Sequence, residues 1–180
     1  MAESAAQQRG TALRGLAGSC MALNEWKKLV AAQISSSLKQ RGFRKNGIIF
    51  SSARQGVVLI IGLQSSHVST QDTMKITCNL GIWVEKLADR PKPNIWGCHW
   101  RMRIGEFLPE PRDHWWTVTS DDSAAQAGNE MLALLEERAL PEMEGLATPE
   151  ALKAFWSAGR FGGLTERSRQ YYLARLSQDG

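Results

Sequence analysis

MKITCNLGIWV occupies residues 74–84, and apolar and polar side chains alternate along most of its length. The two predicted rows are Met74, Ile76, Cys78, Leu80 and Ile82 on one side, and Lys75, Thr77, Asn79, Gly81 and Trp83 on the other. Alternation with a period of two is typical of a β-strand that places one face on a core and the other in water. The stretch therefore predicts a long strand of an antiparallel sheet.

A second stretch, CHWRMRIG at residues 98–105, has the same alternation. Its predicted apolar row is Cys98, Trp100, Met102 and Ile104, and its polar row is His99, Arg101 and Arg103. Residues 47–53 and 57–65 are also strand-like, and the glycine-containing Arg54-Gln55-Gly56 between them predicts a hairpin connection. With a short strand at residues 115–119, these patterns predict a sheet of about five strands.

Helical patterns lie on both sides of this strand region. Residues 22–41 repeat apolar side chains at spacings of three and four, namely Leu23, Trp26, Val30, Ile34 and Leu38. Ser120 predicts a cap for a helix that ends near Leu140, because Pro141 follows. Thr148-Pro149 predicts a second start, and Thr165 predicts a terminal helix through about Ser177.

This order of elements predicts an α+β fold: an N-terminal helix, an antiparallel sheet of about five strands, and C-terminal helices. Residues 1–20 are rich in small and polar side chains, and we expect them to form a flexible N-terminal tail. Residues 21–180 are expected to form a single α+β domain. Its sheet part is predicted at residues 43–119 and its helical part at residues 120–180.

Bulk composition excludes several classes of protein. The chain has 180 residues, of which 43% are hydrophobic and 22% charged, as in globular rather than disordered proteins. Neither a signal peptide nor a run of the ~20 apolar residues that span a bilayer is found in the sequence. Cys20, Cys78 and Cys98 form no CxxC pair and suit a reducing compartment. We therefore expect a cytoplasmic protein with no membrane association.

Charge divides unevenly along the chain. Residues 1–120 hold 16 Lys and Arg against 8 Asp and Glu, whereas residues 121–180 hold 6 against 10. One interpretation is that both halves are simply solvated. The other is that the basic half presents a patch to an acidic partner or to phosphate.

Motifs of known chemistry are missing from the sequence. It contains no GxSxG elbow, no GxxxxGK[ST] phosphate loop and no set of ligands at zinc-site spacing. We therefore predict no catalytic residue, no metal site and no cofactor.

The polar row of the two long strands is the candidate binding surface. If these strands pair, their polar side chains share one face of the sheet, with an aromatic side chain at its end. The predicted binding residues are Lys75, Thr77, Asn79, Trp83, His99, Arg101, Arg103 and Trp116. Arginine in such a set favours carboxylate or phosphate. The alternatives are an ordinary solvated sheet face, or a face covered by the acidic C-terminal helices.

The seven tryptophans divide into two groups. Trp26, Trp100 and Trp156 belong to apolar stripes and are predicted to be core residues. Trp83, Trp96, Trp115 and Trp116 lie on the polar row or in loops, where tryptophan is often a binding hot spot. Because neighbours in a strand point to opposite sides, one member of the Trp115-Trp116 pair must face inward.

Three segments together resemble a known family. LKQRGFRKNG at residues 38–47, LQSS at 63–66 and CNLGI at 78–82 are similar, in this order, to the bacterial domain-of-unknown-function family DUF4304. The matching residues are Leu38, Lys39, Gly42, Phe43, Lys45, Phe50, Gln64, Ser65, Asn79, Leu80 and Gly81. The resemblance covers about residues 22–120 and implies no activity and no catalytic residues. In size and plan the family's small, soluble members resemble proteins that neutralise toxins in bacterial competition loci.

These observations lead to one functional hypothesis and two alternatives. The hypothesis is a non-enzymatic protein-binding module, in its most concrete form an immunity-like protein that neutralises a bacterial effector or toxin. The first alternative is a nucleic-acid-binding protein that uses the basic sheet face, with bases stacked on Trp83. The second is an enzyme with a site around His99, Arg101 and Arg103.

Overall fold

A computed structural model describes residues 23–70, 72–89 and 92–178. The predicted tail at residues 1–20 lies outside these ranges. Helix α1 is described over residues 23–40 and buries the apolar stripe that the sequence predicted, with Val30, Ile34 and Leu38 fully enclosed. Gly42 ends the helix at φ 82°, and the Phe43 N–H donates to the Leu38 carbonyl oxygen.

Six antiparallel strands form one sheet in the described part of the chain. They are β1 Arg44–Asn46, β2 Ile49–Arg54, β3 Val57–Ser65, β4 Met74–Val84, β5 Trp100–Arg103 and β6 Trp116–Val118. The first five are neighbours in chain order, and β6 pairs with the start of β4. Because β5 pairs with the other end of β4, β5 and β6 share one edge of that strand.

The C-terminal helices are α2 Asp121–Leu134, α3 Leu140–Gly145, α4 Pro149–Ser157 and α5 Glu166–Ser177. Their starts follow the predicted caps. The Ser120 hydroxyl accepts from the Ser123 N–H, and the Thr148 hydroxyl accepts from the Ala151 N–H. No helix of the described part is long and apolar enough to cross a bilayer.

The α+β prediction, with an N-terminal helix, an antiparallel sheet and C-terminal helices, is confirmed. The sheet has one more strand than expected, because β1 consists of three exposed polar residues and has no apolar alternation to reveal it. The strand predicted at residues 98–105 is shorter, since β5 begins at Trp100 and a 3₁₀ turn follows it at Ile104–Phe107.

Pro141 does not end the second helix, contrary to the prediction. A π-helical segment, Leu135–Ala139, follows α2 and leads directly into α3. Pro141 stands in the first turn of α3, where its missing N–H costs little. The widened turn before it lets the chain remain helical through the proline.

The main core lies on one face of the sheet. The apolar row of β4 packs there with α1 and with the buried stripes of α2 and α4, together with Trp100 and Trp156. α5 adds Tyr172, Leu173 and Leu176 to its margin. The main helical core therefore lies on the other side of the sheet from the polar row. On the polar side, the described residues that pack against β4 include the loop between β4 and β5, and α5 lines a cleft next to Arg101.

Candidate functional site

Strand pairing brings the predicted polar side chains of β4 and β5 onto one face. Asn79 lies opposite Arg103, and Gly81 lies opposite Arg101. Towards β6, Lys75 lies opposite Thr117, and its Nζ donates to the Thr117 hydroxyl at 2.8 Å. The period-two pattern therefore placed these side chains correctly. The loops decide which of them are exposed.

Thr77 belongs to this face but is fully buried. Its hydroxyl donates to the His114 carbonyl oxygen at 3.0 Å, because the loop before β6 folds over it. Asn79 next to it is half-buried, and its Nδ2 donates to the Gln64 side chain at 2.8 Å. Thr77 is thus a structural side chain and is not available to a partner.

Trp83 is also largely buried, with 8% of its surface exposed. It forms a small second core with Ile60, Ile95 and Cys98, beneath the loop between β4 and β5. The close fit requires glycine at position 81, since a Cβ there would lie 2.5 Å from the Cys98 Sγ.

Cys78 and Cys98 do not face each other, because they belong to cores on opposite sides of the sheet. Burial raises the pKa of both thiols to about 12. Neither side chain has the lowered pKa that activates a nucleophilic cysteine.

His99 is buried, so it is not part of the exposed polar face that the sequence predicted. It precedes β5, is only 4% exposed, and meets the Tyr172 ring edge-on with the ring centres 5.0 Å apart. Its Nδ1 accepts a hydrogen bond from the Val84 N–H at 3.0 Å. Because that nitrogen holds the backbone at the end of β4, it is not free to act as a general base.

Burial lowers the pKa of His99, against the opposing effects of the Leu87 backbone and the Asp89 carboxylate. The pKa of the half-buried His114 is lowered as well, chiefly by burial. Protonation of either side chain therefore favours the unfolded chain. We expect the free energy of unfolding to fall as pH drops below about 6.5, the ordinary histidine pKa, and to be largely constant just above it.

Urea unfolding at pH 7 and pH 5 measures this effect for the protein and for a His99→Gln variant. The variant is expected to be less stable at pH 7 and to lose less stability on acidification. His67→Gln, in an exposed loop, is the matched control and should keep the original pH dependence. Equal acid sensitivity in all three proteins would contradict the assignment to His99.

Trp116 faces the core and is largely buried, whereas the sequence placed it on the polar row or in a loop. It is 7% exposed, and its Nε1 donates to the Glu130 carboxylate at 2.7 Å. Its neighbour Trp115 is half-buried and turns to the other side, as the alternation of a strand requires. The available indole of the pair is therefore Trp115.

Two indoles and two arginines meet on the exposed part of this face. The Arg103 guanidinium lies 5.0 Å from the centre of the Trp115 ring, and its Nη1 donates to Asp113 at 2.6 Å. This hydrogen bond lowers the pKa of the Asp113 carboxyl. Arg101 donates to the carbonyl oxygen of Trp96, whose side chain is 63% exposed.

We call this surface the open face; it consists of Lys75, Asn79, Trp96, Arg101, Arg103 and Trp115. A cleft of about 200 Å³ lies within it, between Trp96 and the polar side chains of Asn79 and Arg103. Its prominent features are two aromatic surfaces and two guanidinium groups. Trp96 and Trp115 were predicted to be contact residues by their loop positions, but the sequence did not show that they flank the arginines.

A larger cleft of about 320 Å³ lies beside the open face, between the loop after β4 and the start of α5. Its lining residues include Asp89, His99, Arg101, Ser168 and Tyr172. No group of three or more His, Cys, Asp or Glu side chains that could hold a metal ion occurs within the described ranges.

Comparison with known proteins gives a family match. A family model described as Domain of unknown function (DUF4304) matches residues 34–145. The match runs from the middle of α1 through the sheet to the end of α3, beyond the expected limit near residue 120. No curated protein and no solved structure matches the chain.

Proposed function

Because the chain belongs to the DUF4304 family, whose description states no function, we propose one from its own surface: a non-enzymatic protein-binding module. The open face is the binding surface. The observation that carries this proposal is the exposed Trp96 next to Arg101, on the sheet face opposite the main helical core. Tryptophan and arginine are the residues most enriched among binding hot spots.

The geometry of the open face suits a protein partner. Trp96 supplies a large apolar surface, and its removal from water by a partner contributes favourably to the free energy of binding. Arg103 is already held by Asp113 and Trp115, so little side-chain entropy is lost when it binds. The partner surface should be acidic, because this face presents Lys75, Arg101 and Arg103, and the one ion pair of these cations among the described residues is Arg103 with Asp113.

The most concrete form of the proposal is immunity-like neutralisation of an effector protein. In this form the open face covers an acidic surface of the effector and blocks its action. The enzymatic alternative around His99, Arg101 and Arg103 has less support, since His99 is engaged with the Val84 backbone. The planar guanidinium groups of Arg101 and Arg103 suit recognition of carboxylate or phosphate groups.

Site-specific photo-crosslinking in the native host tests the proposal. Trp96 is replaced by benzoylphenylalanine, and the same replacement at the exposed Glu137, on the helical side, is the control. A discrete protein adduct is expected from position 96 and not from position 137. Combining Arg101→Glu with Arg103→Glu should lower its yield at least about tenfold, because two hot-spot contacts are lost.

The matched pair Arg160→Glu and Arg167→Glu makes the same charge change away from the open face and should leave the adduct intact. Failure to form an adduct at position 96, equal adducts at both positions, or an adduct that nuclease removes would overturn the proposal.

The immunity-like form is tested by co-expression with the product of the neighbouring gene. We expect the protein to rescue the growth of cells that express this product, and the Arg101→Glu, Arg103→Glu variant to fail to rescue it. A neighbouring product that is harmless and does not bind the protein contradicts the immunity-like form.

A further inference from the structure

A basic groove runs between α1 and the edge strand β1, distant in sequence from the open face. Two clefts of about 620 and 420 Å³ make up the groove, and both are lined by Lys45. The first cleft also has Lys39 of the helix and Arg44 of the strand. The second has Lys27, Lys28 and one acid, Glu25, among its lining residues. Cations therefore face each other from two walls of one depression.

These charges are poorly balanced within the protein. Residues 23–54 hold seven Lys and Arg against one acid, Glu25, which pairs with Lys28 at 2.7 Å. Arg41 pairs with Glu144 outside the groove. Among the residues that the structure describes, Lys39, Arg44 and Lys45 form no ion pair; Lys45 lies only over the Phe50 ring, at 5.7 Å.

Cations on both walls of a groove repel one another and concentrate positive potential between them. An exposed edge strand often carries lysine to prevent pairing with other chains, and this accounts for β1 alone. It does not account for the lysines of α1 on the facing wall. An anion in the groove would reduce the repulsion between the cations of α1 and those of β1.

The length of the groove favours an extended anion. From Asn24 to Lys39 the helix rises about 22 Å, so a single small anion would contact only one or two of these cations. The chain's own first 22 residues do not supply the charge, since they hold one acid, Glu3, and two arginines. A membrane surface is flat and would meet protruding side chains rather than the walls of a depression.

We propose that this groove binds the phosphodiester backbone of a nucleic-acid strand. An extended strand places phosphates along the whole groove, beside Lys27 in one cleft, Lys39 in the other and Lys45 in both, and each neutralised phosphate releases counterions. Phe43 and Phe50, in the floor of the groove, are almost fully buried and offer no ring for a base to stack on. Recognition therefore depends on phosphates and is largely independent of sequence.

Fluorescence anisotropy with a labelled single-stranded DNA of about 20 nucleotides, between about 50 and 200 mM salt, tests the proposal. The variant combines Lys39→Gln, Arg44→Gln and Lys45→Gln, which removes three charges without adding acids. We expect its affinity at low salt to fall at least about tenfold and the slope of log K against log salt to decrease by about 2. Thermal unfolding verifies that the variant is folded; Lys39→Gln with Arg44→Gln is the milder second variant.

The matched control removes three charges from the open face by Lys75→Gln, Arg101→Gln and Arg103→Gln. It should change the DNA affinity by less than about threefold, the part that net charge alone explains. No binding by the original protein, or an equal loss in both triple variants, overturns the proposal. Tighter binding to polyglutamate or to phosphatidylglycerol vesicles than to DNA assigns the groove to a protein or membrane and likewise overturns it.

Discussion

Trp100→Ala is expected to lower the free energy of unfolding by about 3–5 kcal/mol, the range for a large aromatic side chain deleted from a core. Trp100 has no exposed surface and is one of the two largest fully buried side chains. It begins β5 opposite Ile82, and Gly162 packs directly on its ring. The truncation therefore leaves a cavity between the sheet and the segment before α5.

Trp96→Ala is the matched control, with the same chemical change four residues earlier. Because Trp96 is 63% exposed, its truncation should alter stability by at most about 0.5 kcal/mol. Urea unfolding monitored by circular dichroism measures both variants. If the alanine variant does not fold, Trp100→Phe provides a measurable loss of about 1–2 kcal/mol. Similar losses at positions 96 and 100 would contradict the assignment of core and surface tryptophans.

Gly163→Ala is the second substitution with a large expected effect. Gly163 has φ 77°, and a Cβ at this position would lie 1.9 Å from the Arg101 carbonyl oxygen. Backbone strain costs about 1–3 kcal/mol and an overpacked contact about 1–3 more, so we expect a loss of about 2–6 kcal/mol. The loss arises where the Gly162 carbonyl oxygen accepts from the Arg101 N–H and closes the outer edge of β5.

Gly159→Ala separates the two contributions. Gly159 has nearly the same φ, 80°, but no atom lies within 4 Å of the position of its Cβ. Its substitution should therefore cost only the strain, about 1–3 kcal/mol. Hydrogen exchange of the Arg101 amide gives a local measurement, since exchange should accelerate in Gly163→Ala and remain slow in Gly159→Ala. Equal costs at both positions would show that the close approach to β5 contributes nothing.

The strands and helices that the sequence predicted best are those with strong local signals. The β4 prediction, residues 74–84, matches its observed bounds, because eleven residues of near-perfect alternation allow only one register against a core. The starts of α4 and α5 follow Thr148 and Thr165, whose hydroxyls cap the helices through contacts within three residues. β1 was missed because three polar residues at a sheet edge carry no such pattern.

The candidate site could be predicted only in part. Alternation placed Asn79, Arg101 and Arg103 on one face, and pairing of β4 with β5 confirmed it. It did not reveal that a loop covers Trp83 or that His99 points towards Tyr172. His99 was misplaced because β5 begins at Trp100, the residue after it, so the strand period does not apply to His99.

The basic groove shows a further limit of the sequence. Lys39 and Lys45 are close in the chain, and their charges are visible in the composition. That they line one depression depends on how α1 packs beside β1, which is fixed by the burial of Val30, Ile34 and Leu38 beneath the sheet. The position of a groove is therefore a property of packing between elements.

By itself the sequence determined the α+β class, the long strands and their two rows, and the caps that start the later helices. These features depend on side-chain periodicity and on contacts within a few residues, which any folded state of this chain must satisfy. The tertiary structure alone decided which polar residues remain exposed, through loops that cover Thr77 and Trp83. A strand pattern specifies the side to which a residue points, whereas its exposure depends on distant segments that pack on that side.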